Sequence, residues 1–221
     1  MPLLTAGPSC RTLDGMLPSS PIALRDGSAV TLRPQTPDDR ARLAEFFARL
    51  SPASRYQRFF TGMPPKLPSG MLTALSNVDG DRHVGLLALQ QGRVVGAARY
   101  VRRDNSPVAD IAFTVADELQ GNGLGHLLIR ELKAHAARRG ITRFVFDVLA
   151  ANDAALAVAR SLGAHLQRDG ATIEGTIYIE SGAETPSRSS ERARVRRVAT
   201  HRVIRKDSRR LGSAPTTLQS R

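Results

Sequence analysis

The sequence has one cysteine, three lysines and no long apolar run. Because Cys10 is the sole cysteine, the chain cannot hold a disulfide framework or a zinc site built from several cysteines. The five histidines are scattered without i,i+4 pairs, so we expect no metal site. A membrane-spanning helix needs about 20 apolar residues in a row, which the sequence lacks. The first fifteen residues show no secretory signal pattern, which predicts a cytoplasmic protein by default.

Positive charge is abundant but unevenly placed. The formal net charge is +12, of which residues 181–221 carry +8 and the other 180 residues only +4. The 181–221 segment has no aromatic residue and few large aliphatic ones, so we expect a basic, mostly disordered tail. Such a tail either binds nucleic acid or an acidic surface through counterion release, or has no specific partner.

The regular patterning lies between residues 28 and 180, which we interpret as one domain. Residues 1–27 are rich in proline without periodicity and are predicted to form a disordered N-terminal segment. Alternating and helical periodicities within the domain predict the order β-α-α-β-β-β-α-β-α-β-β, with a further helical turn over 69–76. This order indicates an α/β fold with a mixed sheet and helices on both faces.

A glycine-rich segment, Gln120-Gly121-Asn122-Gly123-Leu124-Gly125, lies between a predicted strand and a predicted helix. Glycines let the backbone approach an anion closely, and the free N–H groups of a helix start bind phosphate oxygens. The dinucleotide pattern G-x-G-x-x-G does not fit, because the third glycine comes one residue early. The nucleotide triphosphate loop does not fit either, because it requires Gly-Lys-Ser/Thr and Gly125 is followed by His126.

The region from Val30 to about Ile179 resembles the GNAT superfamily of N-acetyltransferases. Gln120-x-x-Gly123-x-Gly125 is similar to that family's acyl-CoA pyrophosphate motif, and Asn152 with its alanine-rich helix is similar to the second cofactor motif. The run Leu50 to Phe60, LSPASRYQRFF, resembles bacterial protein lysine acetyltransferases. The resemblance implies a mainly antiparallel sheet, splayed strands at the acyl-CoA site, and acetyl-CoA as co-substrate without a metal.

The resemblance also implies which backbone groups bind the cofactor. In the family, the strand before the glycine loop splays from its neighbour and its amides pair with the pantetheine arm. Here those amides belong to Phe113, Thr114 and Val115, and Val115 is our choice to face the thioester oxygen. The loop Gln120–Gly125 and Asn152 complete the expected cofactor site.

Asp110 is the candidate base. It falls where the lysine acetyltransferase relatives usually carry glutamate, and strand alternation places it on the face of Ala112 and Thr114. Aspartate is one methylene shorter, so we expect a water relay to the amine. The alternative is an ordinary carboxylate after a turn. Asp147 and Glu118 are weaker candidates.

The leaving thiolate has no obvious acid. Many family members carry a tyrosine seven residues after the asparagine, where this chain has Ala159. Tyr100 and Tyr178 either substitute for this acid or are packing residues. Because a thiol has a pKa near 8.5, the thiolate can leave at neutral pH without a protein acid. The second helix carries Arg55, Tyr56 and Arg58. They form either a wall of the acceptor site or a solvated face.

Three functions remain open from the sequence. The first is acetyl-CoA-dependent acetylation of a primary amine, with a protein lysine preferred. The second is acetylation of a small-molecule amine by the same machinery. The third is a non-catalytic module that senses acyl-CoA or associates with nucleic acid through the basic tail.

Overall fold

The computed structural model describes residues 20–104 and 106–179. The 181–221 tail and most of the N-terminal segment lie outside these residues. Eight strands form one sheet in the order β1-β2-β3-β4-β5-β6-β8-β7. They are β1 (Ile22–Ala23), β2 (Ala29–Pro34), β3 (His83–Gln90), β4 (Arg93–Arg102), β5 (Val108–Val115), β6 (Arg143–Leu149), β7 (His165–Asp169) and β8 (Thr172–Tyr178). The β5–β6 pair is parallel, and the other pairs are antiparallel.

Five α-helices accompany the sheet. They are α1 (Arg40–Arg49), α2 (Pro52–Phe59), α3 (Ser69–Ser76), α4 (Leu124–Arg138) and α5 (Asp153–Ser161). Short 3-10 turns, Pro37–Asp39 and Asp117–Leu119, precede α1 and the glycine loop. The mixed α/β fold predicted from the sequence is thus confirmed.

Side-chain caps explain where two of the helices begin. Ser51 is the N-cap of α2, with its hydroxyl accepting from Ser54 N at 3.1 Å, and Pro52 takes the first helical position. Asn152 caps α5 by accepting from Ala155 N at 3.0 Å. Gln91 and Gly92 both have positive φ, at 49° and 78°, which is the backbone of a tight β3–β4 hairpin.

One element was not predicted. Residues 20–27, placed in the disordered N-terminal segment by the sequence, form β1 and a turn in the structure. Ile22 pairs with Val30, and Leu24 N donates to Ser28 O at 2.7 Å. A two-residue strand carries too short an alternation to be detected by periodicity.

The helices cover opposite faces of the sheet around β5. Gly125 at the start of α4 approaches β5 so closely that a Cβ there would lie 2.8 Å from the Phe113 ring. Ala112 and Thr114 instead face a cavity that Phe47 of α1 and Leu75 of α3 also line. Residues of odd and even number in β5 therefore serve different layers, as the alternation of the sequence predicted.

Candidate active site

A gap opens between β5 and β6 at their carboxyl ends. The two strands are paired only over Val108↔Arg143, Ala109↔Phe144 and Asp110↔Val145. Beyond Asp110, β5 keeps its partner β4 and β6 keeps its partner β8, but the two strands no longer pair with each other. The edges of two strands therefore face a common space, where backbone groups are free to bind a ligand.

The hydrogen bonds around β5 show which amides face this gap. Ala116 N donates to Val95 O of the β4 side, at 2.9 Å. Successive residues of a strand turn their backbone groups to opposite sides. The N–H groups of Phe113 and Val115 therefore point into the gap, whereas that of Thr114 points to β4. This departs from the expectation that the Thr114 amide faces the cofactor, and only its side chain lines a cavity.

The glycine loop lies at the open end of the gap. Gly121 and Gly123 have φ of 80° and 90°, a region that glycine adopts without steric cost. Gly123 is the N-cap of α4 and no side chain caps that helix start. The first N–H groups of a 15-residue helix, with the positive end of its dipole, are thus available to an anion.

The loop is tied to α2 by a network of side chains. The Asp117 carboxylate accepts from Ser51 Oγ at 2.7 Å and from Ser54 Oγ at 2.6 Å. Gln120 Nε2 donates to Ser54 Oγ at 3.1 Å and to Val115 O at 3.3 Å. These bonds join the start of α2, the end of β5 and the first residue of the glycine loop. Gln120 therefore holds the loop in place through its side chain.

Asp110 lies at the point where β5 and β6 diverge. Its two oxygens accept from Arg103, with Nε to Oδ2 at 2.8 Å and Nη2 to Oδ1 at 2.6 Å. The side chains of Asp110 and Arg103 are 42% and 39% exposed, so water reaches both. The hydrogen bond to Asp110 is the main cause that raises the pKa of Arg103. The Asp110 carboxylate is therefore positioned by a guanidinium at the inner end of the gap.

The other acids expected from the sequence lie elsewhere. Glu118 is exposed in the turn Asp117–Leu119 before the loop. Asp147 is exposed on β6 opposite Glu174 of β8. Both positions agree with their weaker rank as candidate bases.

Ala159, which stands where many relatives carry a tyrosine, is buried in α5. Neither Tyr100 nor Tyr178 can take over the acid role of that missing tyrosine. Tyr100 is fully buried, and its hydroxyl is 2.9 Å from His135 Nδ1 of α4. Burial raises the pKa of Tyr100. Its ring packs against those of His135 and Phe144, so Tyr100 is a packing residue. Tyr178 is exposed and pairs in register with Arg143, at the closed end of the β5–β6 pair.

The three residues of α2 have different roles. Arg55 is buried and donates to Met63 O at 3.0 Å and to Leu50 O, so it stabilises the α1–α2 connection. Tyr56 is exposed. Arg58 lines the cavity that Thr114 also faces. Of the three, only Arg58 thus faces the interior of a candidate site.

The comparisons with known proteins agree with this geometry. The sequence model of the Acetyltransferase (GNAT) family matches residues 46–164. The chain belongs to this family. It is 35% identical to "Acetyltransferase PA5475" of Pseudomonas aeruginosa over 151 residues, which are 66% of this chain and 81% of that protein.

Two further relatives refine the likeness. "Acetyltransferase Pat" of Mycolicibacterium smegmatis is 31% identical over 188 residues, 84% of this chain but only 56% of that longer protein. The crystal structure of the GNAT domain of S. lividans PAT superposes with a TM-score of 0.68 at 31% identity, covering 72% of this chain and 96% of that one. The chain is therefore an acetyltransferase of the GNAT family.

The structure adds residues that the sequence did not indicate. Arg25 Nε lies 3.7 Å from the Cβ position of Gly123, and Arg25 N donates to Asn122 O at 3.3 Å. Arg25 was missed because residues 1–27 were predicted to form a disordered N-terminal segment. Asp117 was missed because its partners Ser51 and Ser54 are more than 60 residues away in sequence.

Residues 20–104 and 106–179 of this acetyltransferase contain neither a metal-binding group of side chains nor a membrane-spanning helix. No group of three or more His, Cys, Asp or Glu side chains in them could hold a metal ion. Likewise, none of the helices they form is long and apolar enough to cross a membrane.

Proposed function

We propose that this protein transfers the acetyl group of acetyl-CoA to a primary amine, with a protein lysine as acceptor. The observation that carries the proposal is the gap between β5 and β6 with the glycine loop at its open end. The start of α4, which suits phosphates, lies beside the splayed edges of β5 and β6, which suit a long thioester arm. Acetyl-CoA has both parts.

The binding roles follow from the geometry. The pyrophosphate binds the N–H groups of Gly121–Gly125 and the start of α4, with Arg25 adding a positive charge beside Gly123. The pantetheine arm pairs with the Phe113 and Val115 amides in the gap. Asn152 positions the start of α5 beside the arm. Holding the thioester next to the amine supplies the proximity that the reaction needs.

The chemistry needs a base, an oxyanion donor and a leaving group. The amine nitrogen attacks the thioester carbonyl carbon, a C–N bond forms and the C–S bond breaks. The Val115 N–H stabilises the developing oxyanion. The ammonium proton passes through water to the Asp110 carboxylate, and sulfur leaves as thiolate, which a thiol pKa near 8.5 permits without a protein acid.

The preference for a protein lysine has two supports. The run Leu50 to Phe60 resembles protein lysine acetyltransferases, and relatives named Pat and PAT are each 31% identical to this chain. Residues 181–221 lie outside the described residues, so the disorder of the basic tail, and its choice between a nucleic-acid or acidic-surface partner and no specific partner, stay predictions. The cytoplasmic location also stays a prediction.

The test is acetyl transfer from labelled acetyl-CoA across lysine peptides, polyamines and small amines. We expect saturable thermal stabilisation by acetyl-CoA and transfer to lysine peptides. Transfer to small amines alone would show that the acceptor is a small-molecule amine and not a protein lysine. Stabilisation without any transfer would identify an acyl-CoA sensor, and no stabilisation at millimolar ligand would contradict the proposal altogether.

A further inference from the structure

A small cavity lies on the face of β5 opposite α4. Its polar lining groups are Gln35, Arg58 of α2, Arg99 of β4 and Thr114 of β5, and the rest of its lining is apolar. Its volume of about 10 Å³ holds one water-sized group. The cavity therefore accepts a single oxygen or methyl group of a ligand rather than a whole side chain.

The two arginines bring positive charge to this cavity, and none of the ten described side chains that line it is acidic. Within residues 20–104 and 106–179, neither Arg58 nor Arg99 forms an ion pair. Arg99 Nη1 donates to Ala74 O at 3.0 Å and to Leu75 O at 3.1 Å, while the Arg58 guanidinium lies 5.2 Å from the centre of the Phe59 ring.

The electrostatic cost of this arrangement is evident in both arginines. Burial, together with the like charge of Arg99, lowers the pKa of Arg58 to about 10. Burial also lowers the pKa of Arg99. Two desolvated cations near one another are unfavourable unless an anion joins them. A bound anion would relieve the desolvation of both at once.

Thr114 provides an independent pointer to a ligand. Its side chain is buried, with 7% of the residue exposed, and Oγ1 has no hydrogen-bond partner among the described residues. A buried hydroxyl without a partner carries a desolvation cost that a ligand oxygen would remove. Thr114 lines the same cavity as the two arginines.

We propose that the acceptor amine carries a carboxylate, one oxygen of which enters this cavity and binds Arg58, Arg99 and Thr114. The inference rests on the proposed acetyl transfer and names the acceptor's chemical class. Thr114 is the neighbour of Phe113 and Val115, whose amides face the β5–β6 gap, and adjacent Cα atoms are 3.8 Å apart. A carboxylate at Thr114 therefore leaves its amine within a few bonds of the thioester.

The phosphates of CoA suit this cavity less well than a carboxylate of the acceptor does. The glycine loop leads into α4, which packs on the opposite face of β5 through Gly125 and Phe113, so phosphates bound there lie on the other side of the sheet.

A carboxylate close to an amine has two sources, a free amino acid or a peptide lysine with an acidic neighbour. The two sources share one chemistry and are separated by the choice of substrates.

The experiment compares substrates that differ only in carboxylate and amide. One pair is γ-aminobutyrate and 4-aminobutanamide. The other is the blocked dipeptides acetyl-Lys-Glu-amide and acetyl-Lys-Gln-amide. We expect the carboxylate member of at least one pair to have a kcat/KM about tenfold higher or more, as charge-assisted hydrogen bonds suggest. The pair that shows the difference identifies the source.

Variants of the full chain test the site itself. Arg58→Gln is expected to reduce the carboxylate-to-amide ratio toward one, and Arg58→Lys to restore part of it. Arg93→Gln removes an exposed arginine of β4 and should leave the ratio unchanged, since Arg93 lies outside the cavity. A ratio of one in the wild type for both pairs, or an undiminished ratio in Arg58→Gln, would overturn the inference.

A binding measurement separates this inference from the proposed function. Isothermal titration of each substrate pair into the protein saturated with CoA reports carboxylate recognition without any turnover. Tighter binding of the carboxylate member, lost in Arg58→Gln, supports the cavity even if no acetyl transfer occurs. Equal binding of both members contradicts the inference even if acetyl transfer is observed.

Discussion

Ser54 Oγ donates to Asp117 Oδ1 at 2.6 Å across 63 residues of sequence. The bond joins α2 to the turn that precedes the glycine loop. Ser51 and Gln120 complete the same network, with Ser51 Oγ donating to Asp117 and Gln120 Nε2 donating to Ser54. The two serines of the LSPASRY run thereby position the glycine loop relative to the helix that carries Arg58.

We therefore predict that Ser54→Ala weakens acetyl-CoA binding several-fold and lowers the free energy of unfolding by about 1 kcal/mol, the typical net value of one buried hydrogen bond. The measurements are calorimetric titration with acetyl-CoA and urea denaturation. Ser161→Ala is the matched control, because Ser161 is exposed and its hydroxyl donates within α5 to Val158 O. Equal acetyl-CoA affinity in both variants would show that the network does not position the loop.

Gly123 supplies a second prediction. With φ at 90°, any other residue is strained there, and a carboxylate would also repel phosphate. Gly123→Glu should abolish thermal stabilisation by acetyl-CoA, whereas Gly123→Ala should weaken it less. If the two variants bound acetyl-CoA equally, strain rather than charge would be the cause.

The close approach of α4 to β5 provides a third prediction. A Cβ at Gly125 would lie 2.8 Å from the Phe113 ring, so Gly125→Ala must displace that ring from its place between α4 and β5. We expect this overpacking to cost about 1–3 kcal/mol of stability and to weaken acetyl-CoA binding. Gly70→Ala is the control, since nothing lies within 4 Å of its added Cβ. Unchanged affinity in Gly125→Ala would show that the packing of α4 on β5 does not set the geometry of the cofactor site.

The Asp110–Arg103 pair gives a prediction on turnover. Asp110→Asn should lower kcat about 100-fold, the usual scale of general base catalysis, with acetyl-CoA affinity intact. Arg103→Gln keeps the Asp110 carboxylate but removes the guanidinium that donates to both of its oxygens. We therefore expect Arg103→Gln to lower kcat by a smaller factor than Asp110→Asn. A kcat in Asp110→Asn equal to that of the wild type would remove Asp110 from the mechanism.

His135 predicts a pH dependence of stability. Burial, and then the charges of Arg139 and Arg138, lower its pKa from 6.5 to about 4. The unfolded chain therefore binds a proton more readily, and folding loses stability as pH falls from about 6.5 toward 4. Between pH 7.5 and 5 this loss is about 2 kcal/mol.

Substituting His135→Leu isolates that contribution. The wild type should lose about 2 kcal/mol relative to the variant between pH 7.5 and 5, as measured by urea denaturation at each pH. The Tyr100 hydroxyl loses its partner in the variant, but that cost does not depend on pH in this range. A constant difference between the two proteins across pH would contradict the buried neutral imidazole.

Local signals in the sequence were sufficient for most of the fold. The periodicities that predicted the two neighbouring strands β3 and β4 and the helix α4 each depend on nearby residues, and all three elements are present. The glycine loop was recognisable because its positive φ angles demand glycine at fixed spacing. The face of Thr114 also followed from alternation alone.

The sequence by itself determined the elements other than β1, their order and the family to which the acetyltransferase belongs, because these follow from local periodicity and short motifs. Only the tertiary structure decided which residues meet. Periodicity contains no information on partners distant in sequence, so the Arg103–Asp110 pair, the Ser54–Asp117 bond and the approach of Arg58 and Arg99 to Thr114 depend on how α2, β4 and β5 pack. The burial of Arg55 and the exposure of Tyr56, neighbours on one helix, were settled by the same packing.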